Sequence, residues 1–257
     1  MSATQPMGEA IGRLLGGGAR ADVFEWGDRV IKLYRSPDAK AAAFREAATQ
    51  AAVESLELPV PAVGGVQQVD GRWGVVFDRV RRESFAVQMR ARPDAVPMYL
   101  EEMARLHLQI HAHAAPQFAS LKTKLTRDID TATLIDDRKR SALLGGLAGM
   151  PDGDRLCHGD FHPLNVLGEA AEPVVIDWPD ARRGDPGADV CRSYLLLHLH
   201  AEEWAEPYVE AYCRAGALSR EEIAGWLPYV AAARLTENIA GEADRLLAIL
   251  RHRGGSG

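Results

Sequence analysis

Three oxygen-bearing side chains stand at regular intervals in the middle of the chain. Asp160 and Asn165 lie five residues apart in His158-Gly159-Asp160-Phe161-His162-Pro163-Leu164-Asn165, and Asp177 follows the apolar run Val174-Val175-Ile176. A carboxylate beside an attacking hydroxyl can align it and take up its proton, and two hard oxygen ligands can hold Mg²⁺. Phosphoryl transfer from a metal-bound nucleotide needs that set. Alone, Asp160 and Asn165 could each be a turn residue bonded to its own backbone; their joint spacing with Asp177 favours the chemistry. His158 and His162 also permit a different reading, a zinc-dependent hydrolase, but no third or fourth ligand follows from a motif.

The elements that must carry these groups can be read from pattern. Gly16-Gly17-Gly18 sits between Leu14-Leu15 and a strand-like run from Ala21 to Trp26, and Gly27-Asp28 offers a hairpin turn before a second strand from Arg29 to Tyr34. Lys32, in Val30-Ile31-Lys32-Leu33, is a strand lysine that can reach nucleotide phosphates, or else a charge guarding a sheet edge. Glycines before such a hairpin let backbone N–H groups approach phosphates closely. No Gly-Lys-Ser/Thr follows, so this is not a Walker loop. An Ala-rich segment from Asp38 to Leu56 has helical spacing that places Phe44, Ala47, Ala48, Ala51 and Leu56 on one face. Val63–Val69 and Trp73–Val80, separated by Asp70-Gly71, form a further hairpin. Beyond Val80 helices take over, at Pro97–Ala112, in pieces over Leu121–Leu147, and at Val190–His200, Glu202–Ala215, Glu221–Ala233 and Leu235–Arg251. A strand over Glu172–Trp178 ends at the metal-type Asp177.

His158-Gly159-Asp160 with Asn165 has the Asp-to-Asn interval of the protein-kinase catalytic loop, with Gly in place of its Arg. With Asp177-Trp178 in place of Asp-Phe-Gly, the segment resembles the aminoglycoside phosphotransferase and choline kinase-like family of small-molecule kinases. The resemblance implies an α+β, two-lobed protein-kinase-like fold. Its small antiparallel β lobe (residues 1–80) would bind nucleotide, and its larger, mainly helical lobe (81–253) would carry the catalytic loop and acceptor site. It assigns Asp160 as catalytic base and Asn165 and Asp177 as Mg²⁺ ligands. Gly16, Gly17, Gly18, Lys32 and Glu46 would hold ATP or GTP, with Glu54 the rival partner of Lys32. Adenine would meet the backbone of Asp78 and Val80, and Asp189 would brace the catalytic loop from the start of a helix that Asp185 caps. Lacking Phe-Gly after Asp177, the chain has no flipping activation segment by this reading.

Composition narrows the partners. A net charge of −6 leaves no basic surplus for a nucleic acid. No run is long and apolar enough for a bilayer, and Met1–Gly12 lacks signal-peptide character. Three cysteines without C-x-x-C spacing suit a reducing, cytoplasmic setting, and Cys157 reads as a small buried hydrophobe. Gly254-Gly255-Ser256-Gly257 reads as a tail. The partner expected is a small-molecule hydroxyl acceptor, with no obligate protein partner evident. The surplus of glutamates beyond residue 200 favours a cationic acceptor, an aminoglycoside or an amino alcohol, among other metabolites. A catalytically silent kinase fold serving as a binding module is the main competitor.

Overall fold

The computed structural model describes residues 10–252 except 19 and 217, so Ala19 of the glycine-rich segment, most of the Met1–Gly12 stretch and the tail lie outside the described residues. The chain divides into two compact units. One holds the chain up to Glu83 together with the later segment Leu167–Pro179; the other holds Ser84–Val166 and the chain from Asp180 on. The division expected at residue 80 therefore falls three residues later. The Asp177 segment, expected in the helical lobe, belongs to the strand-rich unit instead.

In the first unit β1 (Ile11–Gly17), β2 (Ala21–Trp26), β3 (Arg29–Tyr34), β4 (Val63–Val69) and β5 (Arg72–Phe77) make an antiparallel sheet in the order β1-β2-β3-β5-β4. Both hairpins form where the glycine turns predicted them, and Asp70 and Gly71 both take left-handed backbone, the geometry that matches strand twist. Alternation along β3 separates two clusters. Ile31 and Leu33 pack with Trp26 and Val76 on one face, while Tyr34 joins Ala21, Ala43 and Val75 on the other. β1 runs on through Leu14, Leu15, Gly16 and Gly17, so the glycine run is mostly strand rather than turn.

Helix α1 (Lys40–Glu54) packs on β4 and β5. Its buried face is Ala43, Glu46, Gln50 and Val53, whereas Phe44 is 52% exposed and Ala48 and Ala51 are exposed. The predicted face is thus wrong. In an Ala-rich helix the apolar pattern is weak, and polar tasks decide: Gln50 donates to the Pro61 carbonyl at 2.6 Å and Glu46 meets β3.

The second unit is mainly helical: α2 (Phe85–Ala91), α3 (Val96–His111), α4 (Leu121–Thr131), α5 (Asp137–Ala148), α6 (Pro186–His200), α7 (Glu202–Arg214), α8 (Arg220–Gly225), α9 (Leu227–Arg234) and α10 (Ala243–His252). The short strands β6 (Arg155–Cys157) and β9 (Arg182–Gly184) pair antiparallel here. Two further short strands are β7 (Val166–Leu167) and β8 (Val174–Val175). Helix starts follow capping chemistry: Ser84, Ser120, Asp136 and Ser219 each accept from a backbone N–H one turn on, and Ser219 with Glu222 completes a capping box. α3 buries Leu100, Met103, Leu106 and Ile110 as its periodicity predicts, although Met98 is exposed.

Two expected helices are broken. Glu221–Ala233 divides at Trp226, where Leu227-Pro228 starts a new helix because Pro donates no N–H. Leu235–Arg251 divides after a 3-10 turn (Leu235–Glu237), with Asn238 and Gly241 both left-handed. The strand expected over Glu172–Trp178 shrinks to two residues, so Asp177 stands on a loop.

Candidate active site

Within the first unit, the lysine environment is built by β3, α1 and the Asp177 segment. β3 lies between β2 and β5, with Lys32 facing Val23 and Val75 in register, so Lys32 guards no edge. Its Nζ donates to Glu46 Oε1 at 2.8 Å and to Asp177 Oδ1 at 2.5 Å, across 145 residues of sequence. Glu46 is buried and also accepts from the Tyr34 hydroxyl, two residues along the same face of β3. Burial works against the charged amine, but Asp177 and Glu46 outweigh it and hold the Lys32 pKa above its ordinary value. Tyr34 is pushed well up by burial and by Glu46, so it stays a donor. The rival Glu54 is occupied elsewhere, accepting from the Val63 N–H at 2.6 Å.

Asp177 is 38% exposed and adopts left-handed backbone at φ 67. A non-glycine residue there is strained, and such strain gathers where a side chain must be aimed. Trp178 is buried and donates Nε1–H to the Val175 carbonyl at 3.1 Å, which pins the segment after Asp177. The glycine run is exposed, and a Cβ added at Gly16 would meet nothing. The fold itself does not demand glycine at that position. Asp78 donates its N–H to the Ala62 carbonyl and pairs with Arg29, leaving its own carbonyl outside that bond; Val80 lies just beyond the sheet, outside any regular element.

Within the second unit, the catalytic-type loop follows β6. Gly159 has φ 83, and a Cβ there would come within 2.5 Å of the Asp180 carbonyl oxygen, so the Gly of this motif is required by the fold. Phe161 is fully buried and stacks on His107 at 4.3 Å, anchoring the loop. Asp160 Oδ2 lies 3.3 Å from His162 Nε2, and Oδ1 lies 3.4 Å from Arg192 Nη2. Burial opposes its ionisation, but His162, Arg192 and His158 prevail and hold its carboxyl well below the usual carboxylate range. The charged carboxylate is the form this environment favours, and it can accept a hydrogen bond from a hydroxyl. Asn165 is buried in a 3-10 turn (Pro163–Asn165), and its Nδ2 donates to the Asp160 carbonyl at 3.0 Å. That bond engages the amide nitrogen and leaves Oδ1 outside it.

Beneath the loop lies a buried set that sequence reading did not find. Asp189 accepts from the backbone N–H of His158 at 2.6 Å and of Gly159 at 2.8 Å, the bracing expected of it, while Asp185 caps α6 by accepting from the Gly187 N–H. It also meets His107 Nε2 at 2.9 Å and His111 Nε2 at 3.3 Å, whose Nδ1 atoms face the Tyr208 and Tyr212 hydroxyls at 2.5 and 2.8 Å. The signal was present as His-x-x-x-His on α3 and Tyr-x-x-x-Tyr on α7, one helical turn apart on each. Burial and the neighbouring His111 push His107 down to about 3, despite Asp189. The ring is neutral, carries its proton on Nε2 toward Asp189 and accepts at Nδ1 from Tyr208. Burial opposes Asp189 ionisation, but the two histidines hold it well below the ordinary range.

His107, His111 and Asp189 form the one three-residue set among the described residues with ligand atoms close enough for a metal, all within 4.8 Å. Every ring nitrogen in it is already bonded. Among the described residues the pair His158 and His162 acquires no further zinc ligand: His158 Nδ1 accepts from the Asp160 N–H, and His162 turns to Asp160 and Asn165. Cys157 is buried beside this set; burial pushes its thiol up and Asp189 adds to it, as expected of an inert cysteine.

Comparisons with known proteins agree with this construction. Residues 11–226 match the family model described as APH: Phosphotransferase enzyme family. Among curated proteins none matches the chain. Among solved structures, aminoglycoside-3'-phosphotransferase of type VIII shares 19% identity at TM-score 0.65, covering 91% of this chain and 96% of its own. A thermostable mutant of the aminoglycoside phosphotransferase APH(4)-Ia, in ternary complex with AMP-PNP and hygromycin B, shares 18% at TM-score 0.66, covering 96% of each. APH(3'')-Id from Streptomyces rimosus ATCC10970, in complex with ADP and streptomycin, shares 20% at TM-score 0.58, covering 84% of this chain and 90% of its own. A family model spanning most of the chain, on a β-sheet unit and a helical unit of protein-kinase-like type, means that the chain belongs to this phosphotransferase enzyme family and is an enzyme of its small-molecule kinase class.

Proposed function

We propose that the protein transfers the γ-phosphate of ATP, or of GTP, as its Mg²⁺ complex to a hydroxyl of a small molecule. One observation carries this reading: a lysine of a central strand, bridged between a buried helix glutamate and a strained aspartate 145 residues away. The solved relatives complexed with AMP-PNP, ADP, hygromycin B and streptomycin support nucleotide donor and small-molecule acceptor.

In this reading Lys32, steadied by Glu46, neutralises charge on the nucleotide phosphates, and the backbone of Gly16, Gly17 and Gly18 lies close against them. Asp78 O and Val80 N read the adenine. Asn165 and Asp177 hold Mg²⁺; their donors are hard oxygens of the kind it takes, and Asn165 has its nitrogen already engaged. The ion would supply charge neutralisation as the phosphoryl group moves. Asp160 aligns the acceptor hydroxyl and receives its proton. The first unit, the chain up to Glu83 with Leu167–Pro179, serves the nucleotide, and the helical unit serves the acceptor.

Charge bears on the acceptor. Among the glutamates beyond residue 200, Glu206 pairs with Arg220, Glu237 with Arg192 and Arg234, and Glu242 with Arg234 and His200. Those pairs neutralise much of the acidity a polycation needs. An acceptor panel therefore includes aminoglycosides, amino alcohols and neutral metabolites alike. No helix among the described residues is long and apolar enough to cross a membrane. None of the three cysteines is in a disulfide among the described residues, and we place the chain in the cytoplasm on its sequence pattern.

The test is ADP or GDP release with Mg²⁺ across such a panel, using wild type, Asp160→Ala and Asp177→Ala. Asp160→Ala keeps nucleotide binding and loses transfer; Asp177→Ala loses metal-dependent nucleotide binding. Wild-type turnover in Asp160→Ala would overturn the mechanism. Mg-ATP binding with no turnover on any hydroxyl compound would favour a binding module.

A further inference from the structure

We propose that Arg192 is a positioning residue for the Asp160 carboxylate, and that Glu237, Arg234 and Glu242 exist to aim it. The inference rests on the role given to Asp160 above. Arg192 and Asp189 sit on the same helix, α6, three residues apart. One helix thus serves the loop twice: Asp189 fixes its backbone, and Arg192 reaches its reactive side chain.

The arginine is 14% exposed and does not hang free. Its Nη2 donates to Glu237 Oε2 at 3.2 Å and forms an ion pair with Oε1 at 2.9 Å. Glu237 accepts in turn from Arg234 Nη1. Arg234, itself buried, grips Glu242 in a fork, with Nε to Oε2 and Nη2 to Oε1 both at 2.7 Å, and His200 closes the chain on Glu242 at 2.8 Å. Alternating charges in a row hold each guanidinium in one orientation, which a lone surface arginine lacks. The geometry has a local cause. The break in the helix expected over Leu235–Arg251, at left-handed Asn238, brings Glu237 and Glu242 onto the same arginine. A continuous helix would place residues five apart on different faces.

Distances give the arrangement its sense. Arg192 is nearer to Glu237 than to Asp160, 2.9 against 3.4 Å, and His162 stands at 3.3 Å from the other carboxylate oxygen. Glu237 restrains the arginine. A bidentate clamp on Asp160 would fix the carboxylate but consume the lone pairs that must meet the acceptor hydroxyl. A restrained contact fixes its orientation and leaves it available.

The experiment measures Mg-ATP turnover with water as acceptor, read as ADP release, together with nucleotide affinity by direct titration, for wild type, Arg192→Ala and Arg192→Lys. Arg192→Ala lowers kcat by ~100-fold, the scale of a misplaced catalytic group, with KM for Mg-ATP within about twofold of wild type. Arg192→Lys recovers part of the loss, and millimolar guanidinium ion recovers part of it in Arg192→Ala. A kcat within about threefold of wild type, or a KM rising in step with the loss, overturns the proposal. A second measurement is independent of turnover. Thermal unfolding of Asp160→Asn, Arg192→Gln and the double variant should be non-additive, because the two groups touch; Tm shifts that simply sum overturn the proposal even if activity is absent. If wild type neither binds nor hydrolyses Mg-ATP, the proposed function fails, while this cycle still decides Arg192.

Discussion

The two units hold their key carboxylates in opposite ways. In the β-rich unit Asp177 is partly exposed and tied by one charge contact to Lys32, which Glu46 and Tyr34 steady from below. In the helical unit Asp189 is fully buried and spends its oxygens on two backbone N–H groups and two buried histidines. The first arrangement can exchange partners with a charged ligand at little cost. The second cannot, and serves as a fixed base for the Asp160 loop. The partly exposed charge is held by ion pairs, whereas loop geometry is held by buried hydrogen bonds.

The largest effect should come from breaking the fixed base. Asp189→Ala strands four donors without partners, and we expect a loss of about 3–5 kcal/mol, read as unfolding free energy in urea. A loss below 1 kcal/mol would erase the contrast between the units. The same base has a pH signature. His107 has a folded pKa of about 3 against an ordinary 6.5. Below pH 6.5 the unfolded chain takes up a proton that the folded chain refuses, so stability falls with pH. The slope approaches about 1.4 kcal/mol per pH unit down to about pH 3. Asp189, whose folded pKa is depressed, adds loss in the same direction below about 4. Urea unfolding at successive pH values should show a shallower acid slope in His107→Gln than in wild type.

Smaller effects are expected in the β-rich unit. Lys32→Met leaves buried Glu46 with Tyr34 alone and should cost about 1–3 kcal/mol. Adding Glu46→Gln should return most of that stability without returning nucleotide binding. Recovery of both by the double variant would show that Lys32 is a structural group. Gly16→Ala meets no atom of the protein, so unfolding should be unchanged while affinity for Mg-ATP falls. If affinity holds, the glycine run lies away from the phosphates.

Legibility differed between these regions for physical reasons. The β2–β3 and β4–β5 hairpins could be read because turn residues and period-two alternation are local. Glu46 was read through the family pattern, yet the buried face of α1 was not, because an Ala-rich helix carries almost no apolar periodicity and its orientation was set by Gln50 and Glu46. The buried His107–Asp189–Tyr208 set escaped notice because its members come from α3, α6 and α7, and histidines on a helix usually have no distant partner. The strand expected before Asp177 failed for a related reason: three β-branched residues predict extension, while a strained turn was imposed by what Asp177 must reach.

The linear order of residues by itself determined the reactive types and their intervals, Asp160 to Asn165 to Asp177, since such spacing is a property of the covalent chain. It also determined most element boundaries, through caps and turns. Tertiary structure alone decided which carboxylate meets Lys32, which stays buried under the loop, and which arginine faces Asp160. Those choices depend on burial and on pairing between distant segments, and electrostatic strength depends on desolvation that no local stretch of sequence contains.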